Sequence, residues 1–384
     1  MIQKIYYVAN ARMPTEKAHG IQIAKMCEAL IESGVSVELV VPRRGHDATS
    51  MKEFYGLRVD VPLTYMSVPD WYGKGKIGFL ISSFFFVCAY WRYLRKKNAH
   101  GALVWAIDID QFSCIGVAYL GVPYIAEIHD AKPRSFVFSL LFRHAHGIVT
   151  INTIIKRELI QTFGMEDQKI FVYPNGVDFS LFGKEDRVSA RLALGIVSDK
   201  PIVMYVGRVY DWKGIDVFVD AARHVPEALF YIVGGTAEEL RAIGAMHEQP
   251  ENLMCLGSRP FSEIPRWLSA ADVLVATGTK KNTYSYLYTS PMKLAEYMVS
   301  GCPIVVADTP ANREIVADGE VFFYRPDDPV DMAAQIRYIL DYPDEAMARA
   351  ERARQSATTF SWEKRVHAIL KTFQYSQECQ NVAS

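Results

Sequence analysis

Two basic side chains stand where the chain could bind an anion. Arg208 comes directly after the apolar segment IVMYVG, and Lys213 stands at the start of the next helical stretch. If IVMYVG is a buried parallel strand, both residues lie beyond its carboxyl end, where open α/β sheets bind their ligands. A guanidinium fork beside a compact ammonium suits a diphosphate. The spacing alone is equally compatible with a surface pair that solvates a loop.

The segment TSPMKLAEYMVSG has the signals of a helix with an open N-terminus. We expect Ser290 to be the N-cap, Pro291 the first helical residue and Gly301 the residue just past the end. The free N–H groups and the positive dipole end of such a helix attract anions. Glu296 could accept hydrogen bonds from two vicinal hydroxyls, such as those of a ribose. The alternative for a lone helical glutamate is an ordinary solvated side chain.

Two residues in the first half of the chain also lie at predicted strand ends. Gly20, in AHGIQIAKMCEAL, marks the point where the loop after the first strand enters a helix, and glycine permits close approach to the backbone there. His129 comes directly after VPYIAEI. It could donate a hydrogen bond to a ligand, or be satisfied within its own loop.

The sequence has no convincing motif for a protein nucleophile or a metal. It contains no GxSxG, HExxH, P-loop or GxGxxG segment. Asp108 and Asp110 form a DxD triplet, which we interpret as structural because this pattern arises easily by chance. His144 and His146 have no third candidate ligand nearby, so we expect them to pack or cap. We therefore expect neither a metal nor another cofactor.

The length and composition set the frame for these residues. A chain of 384 residues suits two domains, and its 50% hydrophobic and 22% charged residues are ordinary for a globular protein. The net charge of −1 gives no reason to expect nucleic acid as a partner. Six cysteines without a CxxC pair fit a reducing cytoplasm, and MIQKIYYVANARMP is typical of a first strand rather than a signal peptide.

Short apolar segments alternate with helical ones along the chain. Unbroken apolar strands separated by helices predict parallel sheets covered on both faces, and two such series predict two Rossmann-like domains with a ligand site in the cleft between them. The predicted strands are KIYYVAN, 35–42, 102–106, 122–128, 146–152, 169–174, 202–207, 228–235, 252–257, 271–277, 302–308 and EVFFYRP, and the clearest helices of the first half are 20–33, 77–97 and 153–163.

The domain boundary is expected near 175–183, where PNGVDFSLFG contains proline, asparagine and two glycines. We assign 1–178 to the first domain and 179–360 to the second. The last helix, about 361–384, either lies beyond the second sheet or packs back on the first domain.

The run from Ile77 to Trp91 has no charged residue and is flanked by lysines and arginines. It is shorter than the ~20 apolar residues that a membrane span requires. We favour a helix buried in the first domain. The alternative is a helix that enters a membrane surface while its basic flanks meet anionic headgroups.

Four pieces of the sequence, in order, resemble glycosyltransferase family 4. They are AHGIQ with LIESGVSVELVVP, then YIAEIHD, then VYPNGVD, and then VGRVYDWKG with SPMKLAEYMVSGCPIVVADTPANREIV. The resemblance extends over nearly the whole chain. Its specific part is the second half, where PNGVD, GR…KG and KLAEYM.SG.PIV occur together.

The resemblance implies an α/β fold of the GT-B type, with two Rossmann-like domains whose parallel sheets face each other across a cleft. The acceptor would bind the first domain and the nucleotide-sugar donor the second. The implied catalytic residues are Arg208, Lys213 and His129, the last in contact with the transferred sugar. The implied donor-binding residues are Gly20, Arg208, Lys213, Ser290, Pro291, Met292, Lys293, Leu294 and Glu296, with Arg208 and Lys213 on the diphosphate, Gly20 against the phosphates and Glu296 on the ribose.

The resemblance also implies a reaction. A hexose-type sugar would move to a glycan or lipid-linked acceptor with its anomeric configuration retained and without a metal, in cell-surface polysaccharide biosynthesis. The leaving phosphate, stabilised by Arg208 and Lys213, could itself take the proton of the acceptor. The protein would be cytoplasmic, with peripheral contact to the inner face of the membrane through 77–97.

One residue departs from the family pattern. Many members carry two glutamates as E-x7-E, and here Glu296 is the second while Tyr288 takes the place of the first. The sugar contacts of this chain are therefore open, and backbone amides from Ser290 to Lys293 could substitute. Two other functions remain: a nucleotide-sugar 2-epimerase of the same fold, against which EIHD and KLAEYM.SG favour transfer, and a non-catalytic protein that binds nucleotide sugars.

Overall fold

The computed structural model describes residues 2–45, 50–97, 101–108, 110, 112–182 and 185–382, with side chains as far as Phe373. Contacts divide the chain into two units, Met1–Asn175 with Trp362–Ser384 and Gly176–Ser361. The boundary lies three residues before the expected one because Val177 belongs to the second unit. Its N–H donates to the Phe360 carbonyl at 2.8 Å, and it forms a β-bridge with Ser361.

The first unit is built on a parallel sheet of seven strands, as counted in the described residues, in the order β3-β2-β1-β4-β5-β6-β7. Every residue of β4, β5 and β6 is buried, as expected for a parallel sheet with both faces covered. The strands are β1 (Lys4–Val8), β2 (Ser36–Pro42), β3 (Leu63–Met66), β4 (Leu103–Ile107), β5 (Tyr124–Ile128), β6 (Gly147–Thr150) and β7 (Ile170–Val172). The helices before the boundary are α1 (Ala18–Glu32), α2 (Met51–Tyr55), α3 (Gly75–Lys96), α4 (Phe136–His144) and α5 (Thr153–Phe163).

The second unit repeats the scheme with a parallel sheet of six strands in its described part, in the order β10-β9-β8-β11-β12-β13. The strands are β8 (Ile202–Val206), β9 (Leu229–Val233), β10 (Leu253–Cys255), β11 (Val273–Ala276), β12 (Ile304–Ala307) and β13 (Phe322–Tyr324). The helices are α6 (Arg187–Ala193), α7 (Ile215–His224), α8 (Ala237–Ala242), α9 (Ile264–Ala270), α10 (Met292–Ser300), α11 (Pro310–Arg313), α12 (Pro329–Asp341) and α13 (Pro343–Ala357). The predicted α/β architecture with two parallel sheets is confirmed.

The last helix, α14 (Trp362–Val382), belongs to the first unit, where it packs against α1. Val366, Ile369 and Phe373 are buried on its inner side. A Cβ added to Gly147 of β6 would lie 1.7 Å from Cε1 of Phe373, so the helix sits directly on the sheet at this glycine. Of the two positions considered for this helix, it takes the one on the first unit.

Helix α3 has one buried and one exposed face. Phe86, Tyr90 and Leu94 are fully buried, whereas Phe84 and Phe85 are 62% and 46% exposed. The favoured interpretation of a helix buried in the core is therefore wrong for its outer face. The expectation that the run is too short to span a membrane also needs correction, since the helix has 22 residues and, by length and composition alone, could cross one.

Candidate functional site

Two glycines fix the backbone at the carboxyl end of β8. The N–H of Gly207 donates to the carbonyl of Val233 at 2.7 Å, which ties the loop after β8 to the end of β9. Gly234 has a φ of 115°, and a Cβ there would lie 2.6 Å from the carbonyl oxygen of Gly207. Only glycine fits this crossing, which sets the path of the chain into Arg208.

Lys213 lies beside Arg208 in this loop. Its Nζ donates to the carbonyl of Arg208 at 3.0 Å and lies 4.8 Å and 5.3 Å from the ring centroids of Tyr210 and Trp212. Burial, together with repulsion by Arg208, lowers the pKa of Lys213 to about 8. The structure therefore brings Arg208 and Lys213 together and holds the lysine where its charge is disfavoured.

Helix α10 begins one residue later than expected. Pro291, with a ψ of 109°, is the N-cap and Met292 the first helical residue, so Ser290 is not the cap. The helix ends at Gly301 with a φ of 72°, as the sequence predicts. The side chain of Leu294 is fully buried and its N–H donates to the carbonyl of Pro291 at 2.9 Å, so its contact with a donor stays a prediction.

Lys293 brings a third basic side chain to the same edge of the sheet. Its Nζ is buried with no hydrogen-bond partner and lies 4.0 Å from the ring centroid of Tyr205. Its Cδ is 3.9 Å from where a Cβ of Gly207 would stand. Burial and the charge of Lys213 hold the pKa of Lys293 well below its usual value. Its amine therefore lies near that of Lys213, where its charged form is disfavoured, instead of pointing to solvent.

Glu296 lies one turn further along α10 and is partly buried. Burial raises its pKa to about 7, and the nearby Lys293 offsets part of that rise. The interpretation as an ordinary solvated glutamate is therefore wrong. A carboxylate with this pKa is poised between its charged and neutral forms at physiological pH.

The two lysines of this site lie close enough for their charges to interact. In the described part of the chain, no carboxylate forms an ion pair with Lys213 or Lys293. The charge of Arg208 lowers the pKa of Lys213, and the charge of Lys213 lowers the pKa of Lys293. Such a group is stabilised by a bound anion that carries more than one negative charge. The amides of Met292 and Lys293, at the start of α10, precede the helix's own hydrogen-bond ladder and suit the same anion.

His129 in the first unit directly follows β5. Its Nε2 lies 2.9 Å from Oε1 of the fully buried Glu127, and 16% of its side chain is exposed. The ring is thus held at one nitrogen by the protein.

Gly20 is the third residue of α1 and is buried. A Cβ there would lie 2.5 Å from both Cγ2 of Thr15 and Oη of Tyr55, and its N–H donates to the carbonyl of Lys17 at 2.9 Å. The close approach that requires glycine here is that of the protein's own loop. Contact with a phosphate stays a prediction.

The DxD triplet and the two histidines have local partners. Asp110 accepts from the N–H groups of Phe112 and Ser113, both at 2.8 Å, and Ile109 lies outside the described residues. His144 contacts the carbonyl of Leu140 at 2.9 Å near the end of α4, and the ring of His146 lies 6.3 Å from that of Phe373. Among the residues described, no group of three or more His, Cys, Asp or Glu side chains could hold a metal ion.

Tyr288 ends a π-helical turn, Tyr284–Tyr288, that leads toward α10. The ring of Tyr284 meets Trp212 edge-on at 5.2 Å, so this turn packs against the loop that contains Lys213. Tyr288, the residue in place of the family glutamate, thus belongs to an aromatic segment next to the loop that contains Lys213.

Sequence reasoning missed the side-chain role of Lys293 and the partners of His129. A lysine in the first turn of a helix opposes the dipole, and this was the available signal that an anion is expected there. The histidine is held by Glu127, and Glu127 in turn pairs with Arg365 of the last helix. No local pattern in the sequence indicates that pair.

Two family models match the chain. The one described as Glycosyltransferase Family 4 matches residues 20–181, and the one described as Glycosyl transferases group 1 matches residues 200–342. Together they extend over most of both units.

Curated relatives are similar over part of their length. The chain is 27% identical over 256 residues to D-inositol 3-phosphate glycosyltransferase of Thermomonospora curvata, a match that covers 59% of this chain and 56% of the relative. It is 26% identical over 287 residues to phosphatidyl-myo-inositol mannosyltransferase of Mycobacterium tuberculosis, covering 71% of this chain and 66% of the relative. The chain thus matches only about half the length of the first of these proteins.

Solved structures share the fold over nearly the full chain. Sucrose-phosphate synthase of Thermosynechococcus elongatus has a TM-score of 0.77 at 17% identity and covers 100% of both chains. The Anabaena protein HepE, solved in complex with UDP and glucose, has a TM-score of 0.73 at 19% identity and covers 97% of this chain and 100% of its own. At these identities the likeness establishes the GT-B fold alone.

Proposed function

Because this chain belongs to glycosyltransferase family 4, we propose that it transfers a hexose-type sugar from a nucleoside diphosphate sugar to a glycan or lipid-linked acceptor, with retention of configuration. The observation that supports this most directly is the group of Arg208, Lys213 and Lys293 at the carboxyl end of β8, with Glu296 one turn further along α10. Three cations suit the diphosphate, and a carboxylate beside them suits the ribose.

The proposed chemistry needs no protein nucleophile. The bond between the anomeric carbon and the diphosphate oxygen breaks, and the acceptor oxygen bonds to the same face of that carbon. The proton of the acceptor passes to the leaving phosphate oxygen. Arg208, Lys213 and Lys293 stabilise the negative charge that develops on the leaving group, which is the largest catalytic contribution expected here. His129 is proposed to contact the transferred sugar, and no metal is required.

The donor and the setting are also proposals. UDP-glucose is the first donor to test, because UDP and glucose are bound in the HepE structure. A lipid-linked acceptor is in keeping with the phosphatidyl-myo-inositol in the name of one relative, whereas the name of the other contains D-inositol 3-phosphate. We propose that the protein works in the cytoplasm on cell-surface polysaccharide precursors; Cys27, Cys88, Cys114, Cys255 and Cys302 have free thiols.

The test is a thermal-shift screen of UDP-, GDP-, ADP- and dTDP-sugars, followed by product analysis with the donor that binds. We expect transfer to an added acceptor that persists in excess EDTA. Arg208→Ala and Lys213→Ala should each cost ~2–4 kcal/mol of transition-state stabilisation, while Arg354→Ala, in an exposed pair with Glu351, serves as the control.

Other results would point elsewhere. A changed sugar from donor alone would favour a 2-epimerase, and binding of donor without turnover on any acceptor would favour a non-catalytic protein. Rescue by Mn²⁺ after EDTA would bring Asp108 and Asp110 back into the mechanism.

A membrane surface is the proposed partner of the outer face of α3. Ile77, Leu80, Phe84 and Phe85 are exposed there, whereas the inward residues of the same half of the helix include the small Ser82 and Ser83. The apolar residues thus face outward where a soluble helix would place polar ones. The segment 74–97 contains six lysines and arginines and no acidic residue. Exposed aromatic residues with basic flanks suit a membrane that contains anionic lipids.

Co-sedimentation with vesicles tests this partner. The protein should bind vesicles that contain anionic lipid and release them as salt rises, since the attraction is screened over ~8–10 Å. Lys96→Glu with Lys97→Glu, or Phe85→Ser, should weaken binding. Absence of binding to anionic vesicles at low salt would remove the membrane proposal and leave the transferase proposal untouched.

A further inference from the structure

The buried carboxylate of Glu127 is contacted by His129 and by several other polar side chains. Glu127, at the end of β5, is fully buried. Its Oε2 accepts from Nε1 of Trp105 at 2.6 Å and from the hydroxyl of Tyr7 at 3.3 Å. Its Oε1 accepts from Nε2 of Gln22 at 3.1 Å and from Nη2 of Arg365 at 2.7 Å, and lies 2.9 Å from Nε2 of His129. The carboxylate therefore has a donor or a candidate donor at each of its hydrogen-bonding positions.

Glu127 is ionised in this setting. Burial would raise its pKa, but the charge of Arg365, whose Nη2 lies 2.7 Å from Oε1, is the largest of the effects that oppose burial and hold the pKa at about 2. An ionised carboxylate only accepts hydrogen bonds. Nε2 of His129 must therefore carry a hydrogen, which leaves Nδ1 as the polar atom of the ring that the carboxylate does not use.

We propose that Glu127 and Arg365 are positioning residues that fix the orientation and the tautomer of His129, so that Nδ1 is the ring atom offered to the substrate. The inference rests on the proposed function, in which His129 contacts the transferred sugar. A neutral imidazole held this way accepts a hydrogen bond from a sugar hydroxyl at Nδ1, and an imidazolium donates one.

Arg365 comes from α14, near the end of the chain, and its side chain is fully buried. Its Nε donates to the carbonyl of Pro174 at 3.0 Å, so the guanidinium is held at two sides. Without this cation, the buried carboxylate would favour its protonated form, which could donate toward His129 instead of accepting. The geometry of a residue on β5 is thus set by one that lies in the last helix.

A buried ion pair can also be purely structural, and one double substitution separates the two roles. Arg365→Met alone leaves a buried carboxylate without its cation and should lower the melting temperature strongly. Adding Glu127→Gln removes that charge. The introduced amide can keep its oxygen toward Trp105 and Tyr7 and turn its N–H toward His129, whose Nε2 must then accept.

The double variant should regain most of the melting temperature that Arg365→Met loses, yet remain impaired. We expect kcat with a UDP-sugar to fall about 10- to 100-fold, with KM for the donor changed little, because a partner that orients a histidine is lost. Nitrogen NMR of His129 should show the hydrogen on Nε2 in the wild type and on Nδ1 in the double variant. Arg365→Lys, which keeps the charge, should resemble the wild type in tautomer.

Two outcomes would overturn the proposal. If the double variant recovers kcat together with stability, the pair is structural only. If its His129 keeps the wild-type tautomer, the carboxylate does not set it. Should the wild type transfer no sugar from any donor, the proposed function fails, while the NMR comparison still decides the roles of Glu127 and Arg365.

Discussion

At the scale of single residues, the site holds ionisable groups where burial disfavours their charged forms, and a bound ligand would reduce that cost. Lys213 has a pKa of about 8, that of Lys293 is well below its usual value, and that of Glu296 is raised to about 7. Each shift has burial as its largest cause. A diphosphate would favour both ammonium groups, so binding and protonation are linked.

We expect the affinity for UDP-glucose to be highest between about pH 7 and pH 8. Above pH 8 Lys213 of the free protein loses its proton, so binding becomes weaker and is accompanied by proton uptake. Below pH 7 Glu296 becomes protonated and can no longer accept two hydrogen bonds, so binding is accompanied by proton release. Calorimetry in buffers of different ionisation enthalpy measures both proton counts.

Two conservative variants test which residue causes the loss of affinity on each side of this pH range, that is, on the alkaline limb and on the acid limb. Lys213→Arg keeps its charge at high pH and should lose the part of the alkaline limb that Lys213 contributes, whereas Glu296→Gln should lose the acid limb and bind UDP itself more weakly. If Glu296→Gln weakens only the sugar-bearing donor, the residue contacts the sugar and not the ribose.

Lys293→Met should change stability and binding in opposite directions. The substitution removes an amine that is buried without a hydrogen-bond partner, so we expect about 1 kcal/mol of added stability. It also removes one of three cations, so donor binding should lose about 1.5–3 kcal/mol. Thermal unfolding and titration with UDP-glucose measure the two effects. Lys281→Met, at a lysine whose side chain is 68% exposed, is the matched control, and equal losses in both variants would contradict the role given to Lys293.

At the scale of elements, the sequence predicts the strands better than it predicts which face of a helix is buried or at which residue a helix begins. The central strands are unbroken apolar runs because both of their faces are covered, and they were found. Strand β3, LTYM, was missed because it is short and lies at the sheet edge, where no such run is needed. The exposed face of α3 was unpredictable, since Ile77–Trp91 has no charged residue to mark an outer side and its two serines lie on the buried side.

The adjacent phenylalanines of α3 should respond differently to the same substitution. Phe86 is fully buried, so Phe86→Ser should cost about 3–5 kcal/mol of unfolding free energy. Phe85, which is 46% exposed, should cost much less when changed to serine. Denaturant unfolding of the two variants provides the comparison. Equal losses would mean that both rings are buried in solution.

At the scale of the whole molecule, the two alternating series of strands and helices were enough to predict the fold class, whereas the family was predicted from four sequence pieces that resemble it. The pairing of Glu127 with Arg365 was not predictable, because it depends on which unit the last helix joins. Hydrophobic patterns show that α14 has a face to bury, but they do not show against which surface.

The packing of α14 on the first sheet should depend on the absence of a side chain at Gly147. A methyl group there would collide with the ring of Phe373, so Gly147→Ala should cost about 1–3 kcal/mol of stability. Adding Phe373→Leu should return part of it. Gly73→Ala is the control, because its Cβ would meet no atom within 4 Å. Unchanged thermal unfolding of Gly147→Ala would contradict this packing.

Arg365 is synthesised 238 residues after Glu127, and that interval matters while the chain is still being translated. At roughly 5–20 residues per second, the ribosome needs about 10 to 50 s to cover it. During this time the segment Gly176–Ser361 is completed before the first unit receives its last helix. A nascent chain would therefore complete the segment that contains Arg208, Lys213 and Lys293 first. The counter-ion that fixes the histidine would come only with the final helix.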